Sequence, residues 1–303
     1  MGFSLIRRLV MPLPELENYY LERRKKRFEQ GKELKHIRLR ETLYPFFILF
    51  LTGDRLFRKQ KITVLGGHKP DKEQAIYACT HIGENDLENI YESLRRGCWW
   101  FVGDPCVLYK DLSGLLLYLN GSIFLELADK EDRHIAYFRS IELLKGGGSL
   151  MIFPEGARNG SENLPVMPLF SGTAKMAMET NVKIIPVAIE QYDKRFVIKF
   201  GSEILPDNYN NHADLTQNLR DALATLKWEI WENEGIQSRN QLPENFREQF
   251  INTFEKRIQP WDTPETIERS RFHTKSEIDQ KEVENHWDRL IPCKENAFLF
   301  RKR

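Results

Sequence analysis

Apolar segments of strand-like composition alternate with helical patterns between residues 62 and 205, and this alternation restricts the fold more than any other feature of the chain. The candidate strands are residues 62–65, 75–79, 98–102, 122–125, 149–153, 184–189 and 195–200. The candidate helices between them are residues 86–95, 111–119, 131–144 and 172–180. Parallel strands need long crossover connections, which are usually helices. The order therefore predicts an α/β fold with a mainly parallel sheet flanked by helices.

The segment that follows the second candidate strand carries a histidine and an aspartate. His81 stands just after the strand 75–79, and Asp86 opens the next helical pattern. Folds of this class place their chemistry in loops at the carboxyl edge of the sheet. A carboxylate bound to one imidazole nitrogen fixes the tautomer and leaves the other nitrogen basic. The pair therefore predicts a general base that would activate a hydroxyl or an amine of a substrate.

A simpler interpretation remains open for the same residues. Asp86 could serve only as a helix cap, and His81 could be an ordinary polar loop residue. A second motif favours a site: the strand 149–153 runs into Pro154, Glu155, Gly156, Ala157 and Arg158. Although Pro-Glu-Gly can form an ordinary turn, this motif would place a glutamate and an arginine at the same sheet edge as the histidine.

Together these motifs resemble the glycerolipid acyltransferases of the lysophosphatidic acid acyltransferase type. The first motif is H-x-x-x-x-D (His81, Asp86) and the third is F-P-E-G-x-R, from Phe153 to Arg158. Residues 121–126 resemble the second block of that family, residues 184–189 the fourth, and residues 170–177 the segment between the third and fourth. The resemblance covers about residues 60–205, roughly half of the chain.

The resemblance implies transfer of a fatty acyl group from acyl-CoA or acyl-carrier protein to the hydroxyl of a lysophospholipid such as 1-acyl-glycerol-3-phosphate. It gives His81 the role of base, with Asp86 orienting the imidazole, and gives Glu155, Gly156 and Arg158 roles in binding the acceptor. The hydroxyl would attack the thioester directly, so we expect no serine or cysteine nucleophile, no metal and no other cofactor. Backbone N–H groups near Gly83 could stabilise the oxyanion.

The chain departs from the family pattern at several positions on the acceptor side. Gly83 stands where the family commonly has serine, and Ala157 and Asn159 stand where it has threonine and serine. Leu127 replaces the arginine that ends the second block and binds the acceptor phosphate; Arg133 and Arg139 lie nearby in sequence and could substitute. An amine or a specialised metabolite is therefore an alternative acceptor, and a non-catalytic lipid-binding protein is an alternative function.

Charge is distributed unevenly along the chain. Residues 1–61 carry 15 Lys/Arg and 7 Asp/Glu, a net charge of +8, whereas the remainder has a net charge of −7. A second predicted helix of this arm ends in the apolar run 43–51, which is too short to span a bilayer and has basic residues on both sides. It could lie in a membrane interface or pack against the catalytic domain. Nucleic acid is disfavoured as a partner, because the charges are interleaved with aliphatic residues and no binding module is present.

Further signals predict the cellular location. The chain has no run of 18 apolar residues, Ile6 does not fit a myristoylation signal, and no secretory cleavage site follows the N-terminus. The cysteines contain no C-x-x-C pair, which favours reduced thiols over a disulfide framework or metal site: Cys79, Cys98, Cys106 and Cys293. We therefore expect a cytoplasmic protein that is peripheral on the cytoplasmic face of the membrane.

Composition divides the chain into three parts. Residues 1–61 are predicted to form a basic amphipathic helical arm with a helical pair, residues 62–235 the acyltransferase domain, and residues 236–303 a charged helical C-terminal extension. Apolar residues recur at helical spacing over about 213–234, which predicts an amphipathic helix closing the core. His273 and His286 are isolated from other potential metal ligands, so we expect them to be surface residues.

Overall fold

The computed structural model describes residues 10–67, 73–83, 85–103, 105, 107–110, 112–161, 164–235, 243–255 and 267. Its strands are β1 (Lys61–Leu65), β2 (Ile76–Cys79), β3 (Trp99–Gly103), β4 (Ser122–Leu125), β5 (Leu150–Ile152), β6 (Ile184–Tyr192) and β7 (Arg195–Phe200). They form one sheet in the order β1-β7-β6-β2-β5-β3-β4. β7 is antiparallel to β6, and the other neighbouring pairs are parallel. The predicted α/β fold with a mainly parallel sheet is confirmed.

Helices connect and cover these strands. They are α1 (Leu13–Glu29), α2 (Ile37–Thr42), α3 (Tyr44–Phe57), α4 (Asp86–Leu94), α5 (Leu112–Asn120), α6 (Lys130–Lys145), α7 (Gly172–Thr180), α8 (His212–Glu234) and α9 (Phe246–Glu255). Short 3₁₀ turns span Val107–Lys110 and Pro206–Asn208. The helices predicted around residues 86–95, 111–119, 131–144, 172–180 and 213–234 are therefore present, with small changes at their ends.

The central strand β2 explains why the sequence around it is continuously apolar. Ile76 and Ala78 face a core cluster that includes residues of α6, α7 and α8. Tyr77 and Cys79 face the opposite cluster, which includes residues of α3 and α4. All four side chains are fully buried because helices cover both faces of the sheet. β2 is thus held firmly where it delivers the following loop to the sheet edge.

The apolar run of the N-terminal arm begins a helix, whereas the sequence analysis placed it at the end of one. The chain breaks at Leu43 between α2 and α3, and Pro45 lies in the first turn of α3. Proline suits that position, because the first turn of a helix has no intrahelical acceptors for its N–H groups. Phe47 is 5% exposed within the core, whereas Leu49 is 74% exposed. One face of the run therefore packs on the domain and the other is open.

Part of the positive charge of the arm is used inside the protein. Arg24 of α1 binds Asp132 at the start of α6, with Nη2 2.6 Å from Oδ2, and donates to the Tyr109 hydroxyl at 2.5 Å. Lys25 binds Asp129 and Glu131 at 3.0 and 2.9 Å. These contacts fix α1 against the domain. Arg23, Lys26 and Arg27 remain exposed on the same helix.

Several predictions concern residues outside the described part of the chain. Most of the 236–303 extension lies there, including His273 and His286, as do Cys106 and Cys293. The three-part division therefore stays a prediction. Cys79 and Cys98 are buried free thiols. Among the described residues, no helix combines the length and the apolarity needed to cross a membrane.

Replacement of Phe47 by alanine should lower the free energy of unfolding by about 3 kcal/mol, because it removes a buried ring and leaves a cavity. Leu49→Ala, on the exposed face of the same helix, should change the free energy of unfolding by less than about 0.5 kcal/mol. Urea denaturation of both variants measures the difference. Equal losses would contradict the assignment of one buried and one open face.

Candidate active site

The loop that carries His81 is anchored by the residue before it. The N–H of Thr80 donates to the carbonyl oxygen of Val187 at 3.0 Å, and its hydroxyl oxygen accepts from the N–H of Ile189 at 3.0 Å. Thr80 therefore extends the pairing of β2 with β6 by one residue through its side chain. The sequence does not reveal this role, since a threonine after a strand can also simply end the strand.

Asp86 gathers the loop around one buried carboxylate. Oδ2 lies 2.6 Å from Nδ1 of His81 and accepts from the N–H groups of Ile82 at 2.8 Å and Gly83 at 3.1 Å. Oδ1 accepts from the N–H of Leu87 at 2.9 Å. A carboxylate only accepts, so Nδ1 carries the proton of this bond. Asp86 therefore orients His81 and also binds the backbone where the loop meets α4.

The charge of Asp86 is stabilised by these same partners. Burial by itself would raise the pKa of Asp86, but the His81 imidazole and the N–H groups of Ile82 and Gly83 outweigh that effect and lower the pKa below its ordinary value. A fixed anion therefore faces the imidazole near neutral pH. Because the N–H of Gly83 is bound to Asp86, this geometry does not support its predicted role in stabilising an oxyanion.

His81 has one ring nitrogen fixed and its side chain partly open to solvent. Its ring stacks on Phe153, with the centroids 4.3 Å apart and the planes at 21°. The side chain is 22% exposed. With Nδ1 bound to Asp86, Nε2 is the nitrogen that can take a proton from a substrate. The arrangement has the geometry of a general base.

Glu155 lies behind this loop and is fully buried. Oε1 accepts from the N–H of His81 at 3.1 Å, and Oε2 accepts from the N–H of Met167 at 2.8 Å. Burial raises the pKa of Glu155 to about 7, although both N–H groups and the charges of Lys227 and His81 act in the opposite direction. The resemblance gave Glu155 a role at the acceptor, but the structure places its carboxylate against backbone.

Gly156 occupies a position that only glycine tolerates well. Its φ is +68°, in the left-handed region, and a Cβ built there would lie 2.4 Å from Cε2 of Phe170. The Phe170 ring is held nearby, because the Phe170 N–H donates to the carbonyl oxygen of Pro154 at 2.9 Å. Glycine therefore allows the tight turn that follows Glu155.

The rest of the motif reaches back to the histidine loop. The N–H of Asn159 donates to the carbonyl oxygen of His81 at 2.7 Å, so residues 153–159 lie directly against the catalytic candidate. Arg158, one residue earlier, is 7% exposed. The structure therefore brings together all the site residues named from the sequence: His81, Asp86, Glu155, Gly156 and Arg158. Asn159, Met167 and Lys227 also support the site, and each is distant in sequence from His81.

Leu127 lies just beyond the end of β4, which is an edge strand of the sheet. Its side chain packs over Gly103, where a Cβ would lie 3.0 Å from the leucine carbons. Arg133 donates to the carbonyl oxygen of Leu127, and Arg139 pairs with Glu142 at 2.6 Å. The guanidinium of Arg133 thus lies beside the backbone of Leu127, whereas Arg139 is paired with a residue of its own helix. In the described part of the chain, no cluster of three or more His, Cys, Asp or Glu could hold a metal.

The stability of the protein should depend on the ionisation of Glu155. The folded pKa of about 7 lies above the ordinary value of 4.5, so the folded state holds the proton more tightly than the unfolded state. The stability contribution of the protonated form is complete below pH 4.5 and is lost as the pH rises through 7. The free energy of unfolding, measured from pH 4 to 8, should therefore decrease less steeply with pH in Glu155→Gln than in wild type. The two slopes should differ by up to about 1.4 kcal/mol per pH unit. Parallel profiles would contradict a raised pKa.

Several known acyltransferases are similar to this chain. Residues 61–190 match the model of the family described as Acyltransferase. A 1-acyl-sn-glycerol-3-phosphate acyltransferase of Saccharomyces cerevisiae is 22% identical over 141 residues, which are 46% of each chain. The corresponding enzyme of Borreliella burgdorferi is 26% identical over 181 residues, which are 59% of this chain and 68% of that enzyme. The match to the yeast relative thus spans about half of that protein.

A solved structure shares the fold. The 1-acyl-sn-glycerophosphate (LPA) acyltransferase PlsC from Thermotoga maritima superimposes with a TM-score of 0.53 at 18% identity, covering 73% of this chain and 91% of that chain. At this identity the likeness concerns the fold alone. Residues 61–190 match an acyltransferase family, and the relatives and the solved structure named here are glycerolipid acyltransferases to which this chain is similar.

Proposed function

We propose that this protein transfers a fatty acyl group from an acyl thioester, acyl-CoA or acyl-carrier protein, to the hydroxyl of a lysophospholipid such as 1-acyl-glycerol-3-phosphate. One observation carries the proposal: Nδ1 of His81 lies 2.6 Å from the buried carboxylate of Asp86, at the carboxyl end of β2. The relatives named for this activity support the choice of substrates.

In the proposed reaction, Nε2 of His81 takes the proton of the acceptor hydroxyl as its oxygen attacks the thioester carbonyl carbon. The carbon–sulfur bond then breaks, and the imidazolium returns the proton to the departing thiolate. Asp86 keeps the ring in the required tautomer and stabilises its charged form. A positioned base of this kind contributes about 10²- to 10⁴-fold to a rate. No acyl-enzyme forms, so no protein nucleophile takes part.

The acceptor is proposed to bind beside residues 156–158. The bond from Asn159 to the His81 carbonyl places this segment next to the base. A guanidinium is suited to the phosphate of a lysophospholipid because its planar fork can bind two oxygens. Arg158 is therefore the proposed phosphate ligand, and the turn at Gly156 brings the backbone close to the same position.

A second candidate is acyl transfer to an acceptor without a phosphate, such as an amine or a specialised metabolite. It is favoured by Leu127, whose apolar side chain covers Gly103 where the resemblance expects an arginine. An apolar wall at this point suits an acceptor that carries less negative charge. The two candidates share the same base and the same donor.

We also propose that the protein works as a peripheral protein on the cytoplasmic face of a membrane. The apolar side chains left open by α2, α3 and α5 are Leu39, Leu43, Phe46, Leu49, Phe50, Leu56, Phe57, Leu115, Tyr118 and Leu119. These helices contact one another, so their open residues can act as one apolar surface. Arg58 and Lys59 are exposed at the end of α3 and would meet anionic headgroups.

Acyl transfer can be tested by thiol release from a panel of acyl-CoAs and acyl-carrier proteins, with and without candidate acceptors. Wild type should release thiol only with an acceptor, and His81→Ala should lose at least about 100-fold of that rate because the base is missing. The panel includes lysophosphatidic acid, an uncharged lysolipid and an amine. Release without an acceptor would indicate a hydrolase, and no release with any pair would contradict acyl transfer.

Membrane binding can be tested with Leu49→Glu, which places a charge on the exposed face of α3. Co-sedimentation with vesicles that contain anionic lipid should fall by about 10-fold or more, since a charge replaces apolar area at the interface. Leu205→Glu is the matched control, because Leu205 is also an exposed leucine, at 43%, but lies outside this surface. Equal binding by both variants would refute the assigned surface.

A further inference from the structure

We propose that Glu155 is a positioning residue that fixes the backbone of His81, and that it does not bind the acceptor. The inference rests on the proposed function of His81 as the general base. It differs from the role that the resemblance gave to this glutamate, and it follows from where the structure places the carboxylate.

One loop, residues 153–159, binds both the N–H and the carbonyl oxygen of His81. Its N–H donates to Oε1 of Glu155 at 3.1 Å, and its carbonyl oxygen accepts from the N–H of Asn159 at 2.7 Å. Backbone torsions at His81 decide where the imidazole points. Because both ends are fixed, the ring is directed to Asp86 and stacks on Phe153 without depending on a bound substrate.

The same carboxylate joins this loop to a third segment of the chain. Oε2 accepts from the N–H of Met167 at 2.8 Å, and Met167 is fully buried. Glu155 thus connects the end of β2, the turn after β5 and the chain that returns toward α7. The full burial of Glu155 leaves no surface that an acceptor could touch.

The two oxygens of the Glu155 side chain match the two backbone donors at this position. Two N–H donors approach its two oxygens, and a carboxylate can accept at both. A glutamine would offer one oxygen and would turn an N–H₂ group toward the second donor. The positive charge of Lys227, in α8, favours the ionised form of Glu155. Lys227 is itself buried, and its Nζ lies 3.0 Å from the carbonyl oxygen of Ile189 and 2.5 Å from Oε2 of Glu190.

The test compares Glu155→Gln with Glu41→Gln. Glu41 of α2 is a matched control, because its Oε1 accepts from the N–H of Ser149 at 2.6 Å just before β5, away from His81. In Glu155→Gln, kcat should fall about 100-fold while the KM for the acceptor stays within about twofold, since the base is misplaced but acceptor contacts remain. Glu41→Gln should keep the kcat of wild type. A raised acceptor KM with unchanged kcat in Glu155→Gln would overturn the proposal.

Amide hydrogen exchange gives a second measurement that does not depend on turnover. In Glu155→Gln the N–H of His81 or of Met167 should exchange at least about tenfold faster than in wild type, because one of them loses its acceptor. Unchanged protection at both would overturn the proposal. If wild type shows no acceptor-dependent thiol release, the proposed function fails while this measurement still decides the contact. If His81→Ala loses activity and Glu155→Gln does not, only the positioning role fails.

Wild type itself provides the measurement if Glu155→Gln does not fold. The ¹³C shift of the Glu155 carboxyl and the amide proton shifts of His81 and Met167 would be followed from pH 5 to 9. The amide of Met167 should titrate with the same midpoint as the Glu155 carboxyl, since the two are hydrogen-bonded. A Met167 amide that does not respond while the carboxyl titrates would overturn the proposal.

Discussion

The candidate site depends on one buried carboxylate that accepts four hydrogen bonds. Asp86 binds the imidazole of His81 and the N–H groups of Ile82, Gly83 and Leu87. A buried charge costs free energy unless it is paired, and here the loop itself supplies the partners. The conformation that satisfies Asp86 is therefore also the one that orients the proposed base. The hydrogen bonds that fold the loop are thus the same ones that orient His81 for the proposed reaction.

Packing on both faces of the sheet makes the surroundings of this carboxylate rigid. β2 is buried between two core clusters, and hydrogen bonds made by Thr80 and Glu155 fix the loop that follows it. Such a frame limits the movement of His81 relative to Asp86. Small displacements of a general base lower the catalytic rate. Residues that hold His81 in place therefore affect the rate even though they do not contact the substrate.

The N-terminal arm packs against the domain and also leaves an apolar face open. α1 is fixed to the domain through the pairing of Arg24 with Asp132, and Phe47 of α3 completes the core. The opposite face of α3 remains apolar and open. In the proposed membrane binding, an arm fixed to the core in this way would give the domain a defined orientation, which suits a lipid as the proposed acceptor.

The sequence by itself determined the strands, most of the helices and the two motifs of the site. These features depend on local composition and on short spacings, as in the five-residue separation of Asp86 from His81. It did not determine that the apolar run 43–51 begins a helix, that Gly83 donates to Asp86 or that Glu155 is buried against backbone. The burial of Glu155 arises from contacts between distant segments, such as His81 with Glu155 and Met167 with Glu155, whereas the bond from Gly83 to Asp86 arises within the loop itself. Hydrogen bonds of this kind leave no periodic pattern in the chain, so only the tertiary structure decided them.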